Sequence, residues 1–125
     1  MISDYPVFGV GVGLYRSQFK RYTIYKKADV SFAHNLILQV AAEFGLVGLA
    51  LFLGFIVIVL YMGLALARTG EILFQGMFAV VIGVLVHMQF DNTIWGLEIG
   101  GVFWLIFGII MGIYGLKHQC LERKA

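Results

Sequence analysis

The stretch "SFAHNLILQVAAEFGLVG", residues 31–48, carries four polar side chains into the start of a long apolar run: His34, Asn35, Gln39 and Glu43. Imidazole readily accepts and returns a proton near neutral pH, and a nearby amide or carboxylate can fix its orientation. Two interpretations are open, a solvated helix end or a working site at a membrane surface. An ionisable side chain at membrane depth is costly and usually faces a polar cavity or a partner, so Glu43 is the hardest of the four to explain as solvation.

The spacing of these residues predicts one polar stripe. With Ser31 as the N-cap of a helix, Asn35, Gln39 and Glu43 follow at intervals of four residues and share a face. His34 lies at the N-terminal end of this helix. Gly45 and Gly48 come next, and such a pair of small residues predicts close approach by a neighbouring helix.

The elements that must position this stripe are transmembrane helices. Hydrophobic residues make up 61% of the 125 residues and charged residues 13%. Residues 45–67 carry no charge and would form a helix about 34 Å long, longer than the hydrocarbon core of about 30 Å. The segments 72–90 and 99–116 also lack Asp, Glu, Lys and Arg. We therefore predict an all-α integral membrane protein with three transmembrane helices, preceded by an amphipathic, Gly-rich interfacial head.

Three spans would divide the chain between two sides of the membrane. The head (1–33) and the loop 91–98 would lie on one side, and residues 68–71 and the tail (117–125) on the other; the first span with its polar start is 34–67. Most candidate polar residues fall on the head side. Basic residues number five in the head and four on the opposite side, so charge leaves the orientation open. The net charge of +2 is too small to indicate nucleic-acid binding.

The head contains two further patterns. Gly9, Gly11 and Gly13 alternate, which fits either a flexible turn or close approach of the backbone to a ligand or helix. After them, aromatic residues recur at helical spacing beside basic residues, typical of a helix in the membrane interface. These cations could contact lipid headgroups or a substrate phosphate. The aromatic residues are Tyr15, Phe19 and Tyr22, and the basic ones Arg16 and Lys20.

Polar residues also end the second predicted span. His87 and Asp91 are four residues apart and would share a face if the helix continued that far. They could fix a histidine tautomer or form a simple interfacial pair; a single histidine here makes a metal site a weak alternative. Glycine pairs at 96 and 100 and at 108 and 112 predict a seam between helices.

Three segments in series resemble the C-terminal region of the O-antigen ligase/polymerase family. They are "SDYPVFGVGVGLYRSQF", "AHNLILQVAAEFGLVGLALF" and "HMQFDNTIWGLEIGGVFWLIFGI". The His-Asn pair that opens a helix containing a glutamate and two glycines is moderately specific, and the three segments in series are considerably more so. The head lacks the proline often seen inside the glycine run of similar proteins.

The resemblance implies a metal-independent glycosyl transfer that needs no cofactor. A glycan would leave undecaprenyl pyrophosphate and join a hydroxyl acceptor in cell-surface polysaccharide biosynthesis. His34 matches the histidine proposed to deprotonate the acceptor, and basic side chains would neutralise the pyrophosphate, Arg being better suited than Lys. The other residues expected at the substrate site are Arg16, Arg21, Lys20, Asn35 and Glu43, with His87 and Asp91 in support.

The resemblance also implies a location and a partner. The chain would lie in the bacterial inner membrane with its head outside and its tail in the cytoplasm. Members of this family have many more spans, so three spans would be the C-terminal part of a larger helical bundle whose N-terminal helices lie on another chain. The alternative is a non-enzymatic transport or assembly subunit that binds anionic lipid through its head.

Overall fold

The computed structural model describes residues 1–24, 32–91 and 97–122. These residues form four α-helices: α1 (Tyr15–Tyr22), α2 (Leu36–Ala67), α3 (Ile72–His87) and α4 (Leu97–Glu122). The all-helical architecture that the apolar runs predicted is confirmed for this part of the chain. Ser31 and most of the predicted loop 91–98 lie outside the described residues.

Two of the helices are long and apolar enough to cross a membrane. They are α2 and the segment Gly100–Lys117 of α4. Helix α3 has 16 residues and is about 24 Å long, shorter than a hydrocarbon core of about 30 Å. The predicted second span, 72–90, therefore extends beyond the helix that forms. Residues 117–122 of the predicted tail continue α4 as helix.

The chain divides into two compact units within α2. The first contains Met1–Gly54 and His87–Asn92, and the second contains Phe55–Val86 and Thr93–Ala125. In the first unit the buried residues cluster at the start of α2, where Leu36, Gln39, Val40 and Glu43 are all at most 4% exposed. Both apolar and polar side chains of this segment are therefore enclosed by protein.

The second unit is held by aromatic contacts between α2 and α4. The ring of Phe55 lies 4.7 Å from that of Phe107 and 5.9 Å from that of Trp104, distances typical of favourable aromatic pairs. Many other apolar side chains on these helices are exposed, among them Leu51 (72%) and Leu105 (63%). Exposed apolar helices of this kind suit a lipid environment or further helices.

The glycine pair at 108 and 112 of α4 does not form the predicted seam within the described part of the chain. A Cβ atom added at Gly108 or Gly112 would meet no atom of the described chain within 4 Å; Gly96 of the other predicted pair lies outside the described residues. The close approach instead involves Gly63 of α2, where a Cβ would lie 2.8 Å from the Phe78 ring of α3. Aromatic packing onto a glycine replaces the pairing of two small residues.

One exposed contact in the head responds to pH. The Tyr22 hydroxyl donates a hydrogen bond of 2.5 Å to Asp4. This bond, aided by the terminal amine, lowers the pKa of the Asp4 carboxyl, and it raises the pKa of the Tyr22 phenol. The contribution of Asp4 to stability is present above its unfolded pKa and is lost as the pH falls through the lowered folded value. The contribution of Tyr22 to stability is present below its unfolded pKa, about 10, and is lost as the pH rises through the raised folded pKa.

We expect Asp4→Asn to make Tyr22 ionise at a lower pH, because an amide cannot hold the phenolic proton as a carboxylate does. The wild type and Asp4→Asn would be titrated with alkali while the tyrosinate absorbance is recorded. From each curve, the curve of the matching protein that also carries Tyr22→Phe would be subtracted, which leaves the absorbance of Tyr22. An unchanged titration of Tyr22 would show that the bond to Asp4 does not form in solution.

Candidate functional site

Helix α2 is interrupted at Gly45. This residue has φ 69° and ψ −169°, a conformation that only glycine adopts readily. A break inside a helix leaves carbonyl groups before it and N–H groups after it without intrahelical partners. Buried backbone groups of this kind must find other partners, and here the head supplies them.

Four backbone hydrogen bonds join residues 6–11 to residues 42–47, an arrangement that we call the backbone clasp. Before the break, the carbonyls of Ala42 and Glu43 accept hydrogen bonds from the N–H groups of Val10 (2.9 Å) and Gly11 (3.0 Å). After it, two N–H groups donate to the head: Leu46 to Pro6 (2.8 Å) and Val47 to Val7 (3.3 Å). The clasp therefore satisfies the backbone groups that the break exposes.

The backbone clasp requires a glycine in each of the two segments that it joins. A Cβ atom at Gly45 would overlap the carbonyl group of Val7 and lie 2.6 Å from the nitrogen of Gly9. A Cβ at Gly9, which has φ +70°, would overlap the backbone of Glu43. Gly45 is closely approached as predicted, but the prediction that a helix would be its neighbour is wrong, because the neighbour is the head segment. Of the two interpretations of the head glycines, close backbone approach is the correct one for Gly9.

Glu43 ties helix α1 to this arrangement. Its side chain is 4% exposed, and its Oε1 accepts a hydrogen bond of 3.3 Å from the N–H of Tyr15, the first residue of α1. A carboxylate at the start of a helix satisfies an otherwise unpaired N–H group and suits the helix dipole. The glutamate thus positions the helix that carries the basic residues of the head.

Helix α1 confirms the short helix predicted from the aromatic spacing. The rings of Tyr15 and Phe19 stack with centroids 5.7 Å apart, and both residues are half-buried. The predicted phosphate-binding residues of this helix are all exposed: Arg16, Lys20 and Arg21. Their positive charges are accessible from solvent.

The start of α2 is fixed by Asn35. The Leu38 N–H donates to Asn35 Oδ1 (3.0 Å), the bond expected of an N-cap. Asn35 Nδ2 donates to the carbonyl of Gln89 (3.1 Å), and the Leu36 N–H donates to the carbonyl of Met88 (2.9 Å). The prediction that Ser31 caps this helix is wrong, because Asn35 performs that role and joins α2 to the end of α3.

His34 and Asp91 come together beside this junction. His34 Nδ1 lies 3.5 Å from Asp91 Oδ1, and the side chains are 77% and 56% exposed. The sequence paired Asp91 with His87, but α3 ends at His87, so the two residues do not continue one helical face. His87 is also exposed, and its carbonyl accepts the N–H of Asp91 (3.1 Å). The carboxylate is therefore placed against the candidate base itself.

Gln39 has a role that the sequence did not reveal. Its side chain is fully buried, and its Oε1 accepts a hydrogen bond of 2.7 Å from the N–H of Ala33, which holds the residue directly before His34. Its Nε2 has no hydrogen-bond partner within the described ranges. The predicted polar stripe therefore consists of three buried or half-buried residues, Asn35, Gln39 and Glu43. Each of them forms a hydrogen bond to a different neighbouring segment.

The chemistry available at this site is that of an exposed pair of a histidine and a carboxylate. No group of three or more His, Cys, Asp or Glu residues in the described part of the chain is placed to hold a metal ion. With Nδ1 directed towards Asp91, the other imidazole nitrogen of His34 is left for a proton transfer. The arrangement suits general-base catalysis at an exposed polar surface.

The residues that the structure describes form helices, and two of these helices are long and apolar enough to cross a membrane. A family model described as O-antigen ligase, a family of membrane proteins, matches residues 1–53. The resemblance identified from the sequence is confirmed over that segment. No curated protein and no solved structure matches the chain significantly.

The matched residues contain the structural elements that position the candidate base. Residues 1–53 include the backbone clasp, helix α1, His34 and the start of α2. Asp91 and the segment "HMQFDNTIWGLEIGGVFWLIFGI" lie beyond the match. The pairing of His34 with Asp91 is therefore a finding of the structure alone.

Proposed function

We propose that this chain is a glycosyltransferase module of the O-antigen ligase/polymerase type. It would transfer a glycan from undecaprenyl pyrophosphate to a hydroxyl acceptor in the biosynthesis of cell-surface polysaccharide. The observation that supports this proposal best is the exposed contact between His34 and Asp91, which adjoins the segment that matches the family.

In the proposed reaction, His34 is the general base. Asp91 Oδ1, 3.5 Å from Nδ1 of the imidazole, would orient the ring so that Nε2 takes the proton of the acceptor hydroxyl. The hydroxyl oxygen then bonds to the anomeric carbon as the bond from that carbon to the pyrophosphate oxygen breaks. The electron pair leaves with the pyrophosphate, and the proton remains on the imidazole until it is released to solvent.

The basic residues of α1 are proposed to stabilise the leaving group. Pyrophosphate gains negative charge as its bond to the sugar breaks, and a guanidinium can bind two of its oxygens at once. Arg16, Lys20 and Arg21 are exposed on α1. Asn35 and Glu43 would shape this site by holding α2 and α1 in place, and His87 would support it at the end of α3.

The proposed topology has three spans in the bacterial inner membrane. The head and the loop after α3 would face the outside, and the α2–α3 turn and the tail would face the cytoplasm. Helix α3 would cross with the help of the apolar residues that follow it. The membrane partners would be the undecaprenyl-linked glycan and further helices of the kind found in this family.

The function is tested by deletion of the gene in its native cell and complementation with variants. Deletion should abolish attachment or extension of the surface glycan, and the wild-type gene should restore it. In membranes from the complemented cells, Asp91→Asn should lower kcat about tenfold with little change in KM for the lipid-linked donor, because Asp91 acts through His34 and the complete base is worth about 10²–10⁴-fold.

The matched control is Glu71→Gln, which neutralises an exposed carboxylate at the opposite end of α3 and should leave transfer unchanged. Normal surface glycan in the deleted cells would contradict the enzymatic proposal and favour a transport or assembly subunit. An equal loss of activity in both variants would contradict the role given to Asp91.

A further inference from the structure

A groove lies at the far end of α2 from the candidate site, where this helix turns into α3. Its volume is about 460 Å³, within the range of about 300–1,000 Å³ typical of ligand pockets. Leu64 and Ala67 line it from α2, Arg68 from the turn, and Phe78, Ala79 and Ile82 from α3. All of these residues belong to the second compact unit.

The groove arises from small side chains beside a tight turn. Ala67 and Ala79 fill little of the space between the helices, while Phe78 packs onto Gly63. The turn is fixed by the Thr69 hydroxyl, which donates to the carbonyl of Leu66 (2.8 Å). This bond therefore fixes the turn at one end of the groove.

The length of the groove fits within one leaflet of a membrane. Its lining on α3 runs from Gln75 to Ile82, a rise of about 10 Å, whereas one leaflet is half of a hydrocarbon core of about 30 Å. Ile72 and Leu73, at the start of α3, are 85% and 66% exposed. In a membrane protein this surface is covered by lipid, so the apolar wall would accommodate one acyl chain.

Arg68 supplies a charge at the membrane-surface end of the groove. It is exposed, and its guanidinium forms no ion pair with any residue that the structure describes. A guanidinium binds phosphate oxygens in a bidentate manner. A phospholipid has this combination, since its phosphate lies directly above its acyl chains.

We propose that the groove binds a phospholipid, with one acyl chain against Leu64, Phe78 and Ile82 and the phosphate on Arg68. The site lies at the opposite end of α2 from His34 and does not depend on the proposed transferase activity. Phosphate is the recognised group, so lipids that differ only in the headgroup beyond it bind alike. A lipid without phosphate lacks the contact with Arg68.

The test is native mass spectrometry of the full chain, purified in detergent and stripped of lipid. It is titrated separately with phosphatidylethanolamine, phosphatidylglycerol and diacylglycerol that carry the same acyl chains. We expect the two phospholipids to bind with similar affinity and diacylglycerol about tenfold more weakly, as for loss of one charge-assisted contact. Arg68→Gln should reduce phospholipid binding to the level of diacylglycerol.

Two further variants separate the charge from the groove. Lys117→Gln removes an exposed cation near the end of α4 and should change nothing, whereas Ala79→Phe fills the groove and should weaken all three lipids. Circular dichroism would verify equal helix content. The proposal would be overturned if phospholipid binding were unchanged in Arg68→Gln or Ala79→Phe. It would also be overturned if the wild type bound diacylglycerol as tightly as the phospholipids, or if Lys117→Gln lost as much binding as Arg68→Gln.

Discussion

Gly45→Ala is expected to destabilise the protein by about 3–5 kcal/mol. The substitution forces a side chain into a backbone conformation reserved for glycine, at a cost of about 1–3 kcal/mol. The new methyl group also overlaps the carbonyl of Val7, so the head must move away from α2. Each backbone hydrogen bond lost from the clasp costs about 0.5–1.5 kcal/mol more.

The free energy of unfolding in detergent would be compared with those of two control variants. Gly13→Ala shares the positive φ (+72°) but meets no atom of the described chain within 4 Å, so it should cost only about 1–2 kcal/mol. Gly54→Ala lies inside α2 with open space around it and should change stability by less than about 1 kcal/mol. If Gly45→Ala cost no more than Gly13→Ala, the clasp would contribute nothing to stability.

The second large effect is expected from His34→Ala, which should lower glycan transfer by about 10²–10⁴-fold, the usual contribution of a general base. This prediction depends on the proposed function. His34 is largely exposed, so truncating it should leave the fold intact. The measurement is the rate of glycan transfer in membranes from complemented cells, with the amount of inserted protein determined in parallel.

Added imidazole provides a specific readout for this variant. Because the side chain of His34 is exposed, free imidazole can enter the space left by truncation and should restore part of the rate. His118→Ala, a histidine near the carboxyl end of α4, should retain full activity. Transfer at the wild-type rate in His34→Ala would exclude this residue as the base.

Local patterns predicted the helices and the polar start of α2 well. Uninterrupted apolar runs could form only helices in lipid, and the spacing of Tyr15 and Phe19 predicted α1. Grouping polar residues by side of the membrane also placed His34 and Asp91 together, although it did not pair them. That pairing joins residues distant in sequence, and it depends on where α3 ends.

The backbone clasp could not be predicted from local patterns. Residues 36–67 read as one continuous helix, because a single glycine inside an apolar run lowers helix propensity only slightly. The break at Gly45 forms because the head offers partners for the freed backbone groups, a tertiary effect that outweighs local preference. Gly108 and Gly112 illustrate the reverse, since a pattern typical of close packing faces open space within the described chain.

In the proposed topology, the interruption at Gly45 would also set the position of α2 along the membrane normal. Residues 46–67 alone would form a helix of about 33 Å, which matches the thickness of a hydrocarbon core of about 30 Å. The preceding turn would then lie above the lipid tails, with Gln39 and Glu43 enclosed by protein. One glycine would thus keep an acidic and an amide side chain at the membrane surface and out of the hydrocarbon.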